Sequence, residues 1–204
     1  MTKGRLEAFS DGVLAIVITI MVLELKVPHG SDLHALRPMM PLFLSYVLSF
    51  VYVGIYWTNH HHLFHAAGEV DGGVLWANLA LLFCLSLVPV VTAWVGDNPR
   101  APWPAALYGM VLLVCGVAWW VLERAILARA GPRSELARAL GGKLKEKLAL
   151  VAYGFGIALA FVHPWLSELV YAAVALTWIV PDRRIERVLD REKRAGSGTG
   201  GAAA

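Results

Sequence analysis

An all-α, polytopic membrane protein with six transmembrane helices is what this sequence predicts, and three observations carry the prediction. The chain has 204 residues, 58% of them hydrophobic and only 16% charged, against about 25% charged in an ordinary soluble domain. Its mean hydropathy is +0.60, and the apolar residues come in long uncharged runs. The Lys and Arg residues sit between those runs, in three clusters. Disordered and fibrous classes are excluded by the same composition, because so much Val, Leu, Ala and aromatic surface has to leave water.

A helix needs about 20 apolar residues to cross the hydrocarbon layer. The first uncharged run, Gly12 to Leu23, has only 12, so a span over about 5–27 must take Asp11, Glu24 and Lys26 into or near the bilayer. A carboxylate on such a helix is costly when it faces lipid, so protein or water has to meet it. The second run, Pro38 to Asn59, has 22 residues and predicts a span over 38–62 that ends in Asn59-His60-His61-His62. Between Asp71 and Asp97 lie 25 uncharged residues, and between Arg100 and Glu123 another 22; these predict spans over 72–96 and 102–123. From Leu148 to Pro181 there are 34 residues with one carboxylate, Glu168. His163-Pro164 near their middle breaks the helix, giving spans over 146–163 and 165–181. Residues 1–190 form one membrane domain, and 191–204 read as a flexible tail of linker-like Gly, Ser and Ala composition.

Charge sets the sidedness. Lys3 and Arg5 make the first cluster, seven basic residues lie between Arg124 and Lys147, and six lie between Arg183 and Arg194. Six spans put all three clusters on one side and leave Lys26, Arg37 and Arg100 on the other. The positive-inside rule then places both termini in the cytoplasm. The formal charge of +3 is thereby explained by the membrane, and no nucleic-acid partner is implied. Cys84 and Cys115 lie in apolar runs and suggest neither a disulfide framework nor a zinc knuckle. No cleavable signal peptide is expected, because Asp11 and Glu24 interrupt the first apolar run.

The first helix carries a pattern of its own. At 100° per residue, Arg5, Phe9, Gly12, Val13, Ile16, Ile20, Leu23 and Val27 fall within roughly 50° of one direction, with Thr19 on the flank. Periodicity does not separate a lipid face, a packed core and a pore lining. Asp11 points nearly opposite, so it is expected to turn into the bundle and meet Asn59 and a neighbouring histidine such as His60. That arrangement is either a structural clamp or a proton relay. His61, His62 and His65 have metal-ligand spacings, but no glutamate stands in the zincin position, and no metal is expected. The strings G-x-S-x-G, Gly-rich phosphate loop and T-V-G-Y-G are all absent. An enzyme is not indicated, nor is a cofactor.

Arg5-x-x-x-Phe9-Ser10-Asp11, followed by the aliphatic run from Gly12 to Leu25, resembles the transmembrane protein 175 family of potassium channels. The string Tyr56-Trp57-Thr58-Asn59-His60-His61-His62 looks like that family's second signature. The resemblance implies a passive potassium-selective channel in a prokaryotic plasma membrane. It further implies that the first helix lines a central pore, and that a one-repeat chain assembles as a homotetramer. By position, the implied constriction falls on Ile16, with further apolar layers at Ile20 and Leu23, and the implied selectivity threonine is Thr19. Arg5, Phe9, Ser10 and Asp11, with Trp57, Asn59, His60 and His61, take the implied role of tying the pore helix to its neighbours. Glu24 is expected at the outer mouth, either to raise the local cation concentration or as an ordinary interface residue. The competing reading is a proton-coupled transporter that uses Asp11 and the histidines. Against it stand the lack of inverted repeats and of paired broken helices.

Overall fold

A computed structural model describes residues 2–28, 30–68, 70–130 and 144–179, and the regular structure among them is helical. Helix α1 is Lys3–Leu23, and a 3-10 turn over Leu33–Met39 leads into α2, Met40–Ala66. Then follow α3 (Gly72–Ser86), α4 (Val88–Asp97), α5 (Pro102–Ala130), α6 (Leu144–Ala160) and α7 (Pro164–Ile179). Helices α3 and α4 run on as one 26-residue apolar rod, so the described residues form six rods. Four of them, Lys3–Leu23, Leu33–Ala66, Gly72–Asp97 and Pro102–Ala130, are long and apolar enough to cross a membrane. Helices α6 and α7 have 17 and 16 residues. Three of the seven residues of the second basic cluster (Arg133, Arg138 and Lys143), the third cluster and the 191–204 tail lie outside the described residues.

The helix ends follow from local chemistry and differ from the expected spans in several places, among them the end of α5, which runs past residue 123 to Ala130. Helix α1 stops at Leu23 with Glu24 as its C-cap, short of residue 27. The charged Glu24 and Lys26 and the ring of Pro28 all oppose a further apolar turn. Helix α2 continues past residue 62, through all the histidines, to Ala66. Its last carbonyls gain a cation: the Lys3 Nζ donates to the carbonyl oxygens of His65 (3.2 Å) and Ala67 (2.8 Å), a favourable place for positive charge. The third rod is interrupted at Leu87, because Pro89 has no amide hydrogen to give the Leu85 carbonyl.

Asp71 caps α3 by accepting from the Val74 amide at 2.9 Å, and it pairs with Arg129 near the end of α5. The Val74 amide and, after it, the Arg129 side chain hold the Asp71 carboxyl below the usual carboxylate range. The start of α1, the end of α2, the start of α3 and the end of α5 therefore share one end of the bundle. The chain breaks between α6 and α7 at His163-Pro164, where the sequence places the break.

Tyrosines fill the centre. Tyr171 of α7 is fully buried, and its ring sits where side chains at Gly109 of α5 and Gly156 of α6 would otherwise project. Its hydroxyl donates to the Ala105 carbonyl at 3.2 Å, and its own carbonyl accepts from the Tyr52 hydroxyl at 2.6 Å. One layer away, Ser49 shares hydrogen bonds with Thr92 (2.7 Å) and Tyr108 (2.9 Å). Polar groups at membrane depth need such internal partners, since lipid offers none.

Candidate functional site: the first helix and its brace

Helix α1 packs against α2, α3 and α4. It does so through Leu6, Ser10, Leu14, Val17 and Met21, all buried and spaced three or four residues apart. The other side carries Arg5, Phe9, Gly12, Ile16, Thr19, Ile20 and Leu23, all exposed in the single chain. Ile16 is 59% exposed and Leu23 79%. These numbers remove one of the three readings of the stripe, because residues this open are not the core of one subunit. Val13 is half-buried at the stripe's edge, and Val27 lies past the helix. The Thr19 hydroxyl donates to the Ile16 carbonyl at 2.9 Å, so its proton is committed to the backbone and its oxygen can still accept. Glu24 is exposed at the helix C-terminus.

Asp11 is placed differently from the expectation. It is exposed in the single chain and accepts from the Trp57 indole Nε1–H at 2.9 Å; its partner is neither Asn59 nor His60. The reason is helical phase. Asn59 follows Trp57 by two residues, a rotation of about 200°, so a helix that turns Trp57 to Asp11 turns Asn59 away. Asn59 instead lines a cavity with Tyr56 on the far side of α2. His61 is exposed and stacks on His65, ring centroids 6.1 Å apart. Among the described residues, no group of three or more His, Cys, Asp or Glu is arranged to hold a metal ion.

The buried brace behind α1 centres on a residue that motif reading passes over. Asn78 of α3, fully buried, donates from Nδ2 to the Ser10 hydroxyl at 3.0 Å and accepts at Oδ1 from His60 Nε2 at 2.8 Å. His60 therefore carries its proton on Nε2. Ser10 in turn donates to the Leu6 carbonyl at 2.9 Å. Three helices are joined through one amide. The signal was present in the sequence: Asn78 is a strong hydrogen-bonding side chain inside an otherwise apolar span, where such residues need an internal partner. Asn78→Leu keeps the volume and removes both bonds, stranding the His60 proton. The expected result is a loss of about 1–3 kcal/mol, read as a lower thermal midpoint of the purified protein.

A multi-span bundle that leaves one face of its first helix open, with polar bonds fixing that helix from behind, is an integral membrane protein built to present an aliphatic, threonine-bearing surface. The profile of the family described as endosomal/lysosomal potassium channel TMEM175 matches residues 5–89. The chain is 53% identical over 189 residues to a protein of Chryseobacterium sp. (strain P1-3) named a potassium channel, covering 93% of this chain and 98% of that one. It is 43% identical over 113 residues to the human endosomal/lysosomal proton channel TMEM175, covering 50% of this chain and 20% of that one. The crystal structure of a lysosomal potassium-selective channel TMEM175 homolog from Chamaesiphon minutus matches with a TM-score of 0.76 at 29% identity, covering 88% of this chain and 97% of that one. The chain belongs to the TMEM175 family, whose members are ion channels and not enzymes.

Proposed function

We propose that the chain is a potassium-selective channel of a prokaryotic plasma membrane, passive and tetrameric, with four copies of α1 around the permeation axis. All six rods cross the bilayer, and both termini are cytoplasmic. The observation that carries this reading is the open stripe of Ile16, Thr19, Ile20 and Leu23 on α1, in a chain that aligns end to end with a bacterial potassium channel. Four Ile16 side chains on an axis form an apolar neck that closes by dewetting. Ile20 and Leu23 continue that neck toward the mouth. At the far end, the helix C-termini contribute partial negative charge, and the four Glu24 carboxylates add to it and concentrate cations. Arg5 and Phe9 flank the inner end of the stripe. Ser10, through Asn78 and His60, and Asp11, through Trp57, fix its orientation. Potassium is the permeant, and no cofactor takes part.

Flux from liposomes tests this reading against proton coupling, which the name of the human relative and the exposure of Asp11 both make worth measuring. A channel passes current that reverses with the potassium gradient alone. Flux that requires a pH gradient would mark a proton-coupled protein instead. Selectivity has its own test. Thr19→Val keeps the shape and removes the oxygen, so the preference for potassium over sodium is expected to fall while cation current persists. An unchanged reversal potential in mixed potassium and sodium removes Thr19 from that role.

A further inference from the structure

The far side of α2 holds a second feature, which does not depend on permeation. Tyr56 and Asn59 of α2, Trp119 of α5, Glu146 and Tyr153 of α6, and Trp178 of α7 line a cavity of about 40 Å³. A water needs about 10–15 Å³ measured this way, so there is room for about three water-sized groups, such as an ammonium and the two carbons next to it. The walls are aromatic faces, Tyr56 and Trp119 meeting edge-on at 6.1 Å between centroids. One oxygen of Glu146, Oε2, is buried and has no hydrogen-bond partner among the described residues. A desolvated carboxylate oxygen calls for a donor or a cation, and π faces attract cations electrostatically. A bare metal ion would need a shell of several oxygen ligands, and the Glu146 carboxylate and the Asn59 amide do not make one. An ammonium group needs only a carboxylate, one further acceptor and aromatic walls.

We infer that this cavity binds a primary ammonium group, with Glu146 as counter-ion, the Asn59 carbonyl as second acceptor and Trp119 and Trp178 as cation–π walls. The ammonium belongs to a lipid head group or to a free small amine.

The test uses the full chain in phosphatidylglycerol nanodiscs, titrated with ethylammonium or tetraethylammonium chloride at matched ionic strength, with the thermal midpoint as readout. Ethylammonium is expected to raise the midpoint saturably, and tetraethylammonium, too bulky for the cavity, is not. Glu146→Gln is expected to need about tenfold more ethylammonium, since a bond to a charged group is replaced by a neutral one. Trp178→Leu keeps the carboxylate and weakens the response through the lost π face, so the test stands if the first variant does not fold. Discs containing phosphatidylethanolamine separate the sources. A raised baseline that added ethylammonium no longer moves identifies the lipid head group, and an unchanged baseline identifies a free amine. Equal shifts with both salts, or equal responses of wild type and both variants, overturn the inference and leave the cavity to water.

Discussion

Gly109→Ala is expected to unfold the bundle at a markedly lower temperature than the wild type. The Tyr171 hydroxyl and ring carbon Cζ occupy the space a Cβ at 109 would take, and the ring of the same tyrosine lies against Gly156 from the other side. Trapped between two helices, the ring cannot swing clear. Overpacking alone costs about 1–3 kcal/mol. Displacing Tyr171 also strains its bond to the Ala105 carbonyl and the bond its own carbonyl takes from Tyr52, so the upper end of that range is expected. Gly154→Ala supplies the control, because a Cβ there meets nothing within 4 Å. A thermal midpoint for Gly109→Ala equal to that of Gly154→Ala would show that Tyr171 is not locked.

Ile16→Asn is expected to raise basal potassium current on the order of tenfold or more, since each 1.4 kcal/mol taken from a barrier is a factor of ten. Asparagine has similar length but brings donors and acceptors into the neck, so water and a hydrated ion are no longer excluded. Selectivity should change less, because Thr19 is untouched. If Ile16 faced lipid, the polar side chain would instead harm insertion or folding and add no current. Single-channel recording distinguishes the two: wild-type conductance and open probability in a stably assembled variant speak against a gate at this position.

Legibility in the sequence followed the physics of each signal. The all-helical membrane class came from composition, and the break before Pro164 from a proline in the middle of an apolar stretch. Pro89 carried the same signal, yet the uncharged run around it reads as one continuous span. The stripe on α1 was visible as a period of 3.6, but a period has no outside. Only the buried set from Leu6 to Met21 shows which side faces its own subunit. Asp11 was misdirected for a related reason: a residue opposite the apolar stripe can still sit on the flank of a helix, and here Trp57 meets it there. Trp57, Asn59 and His60 share a motif but point to three different neighbours, because each residue turns 100° from the last. The cavity around Glu146 joins four helices, and no local pattern announces a contact of that kind.

The claim on which the functional reading depends is that the open stripe of α1 meets water and ions, and cysteine accessibility measures it most directly. Both native cysteines, Cys84 and Cys115, are buried, so the background to a charged, water-soluble thiol reagent is low. Single cysteines at Ile16, Thr19 and Leu23 are compared with Val17, buried against the bundle, and Phe155, exposed on the outer side of α6. The reagent is predicted to block potassium current through the first three variants and to leave the Val17→Cys and Phe155→Cys currents unchanged. Current that persists through all three stripe variants after treatment, with the reagent shown to act on an exposed control thiol, would contradict a pore lined by α1.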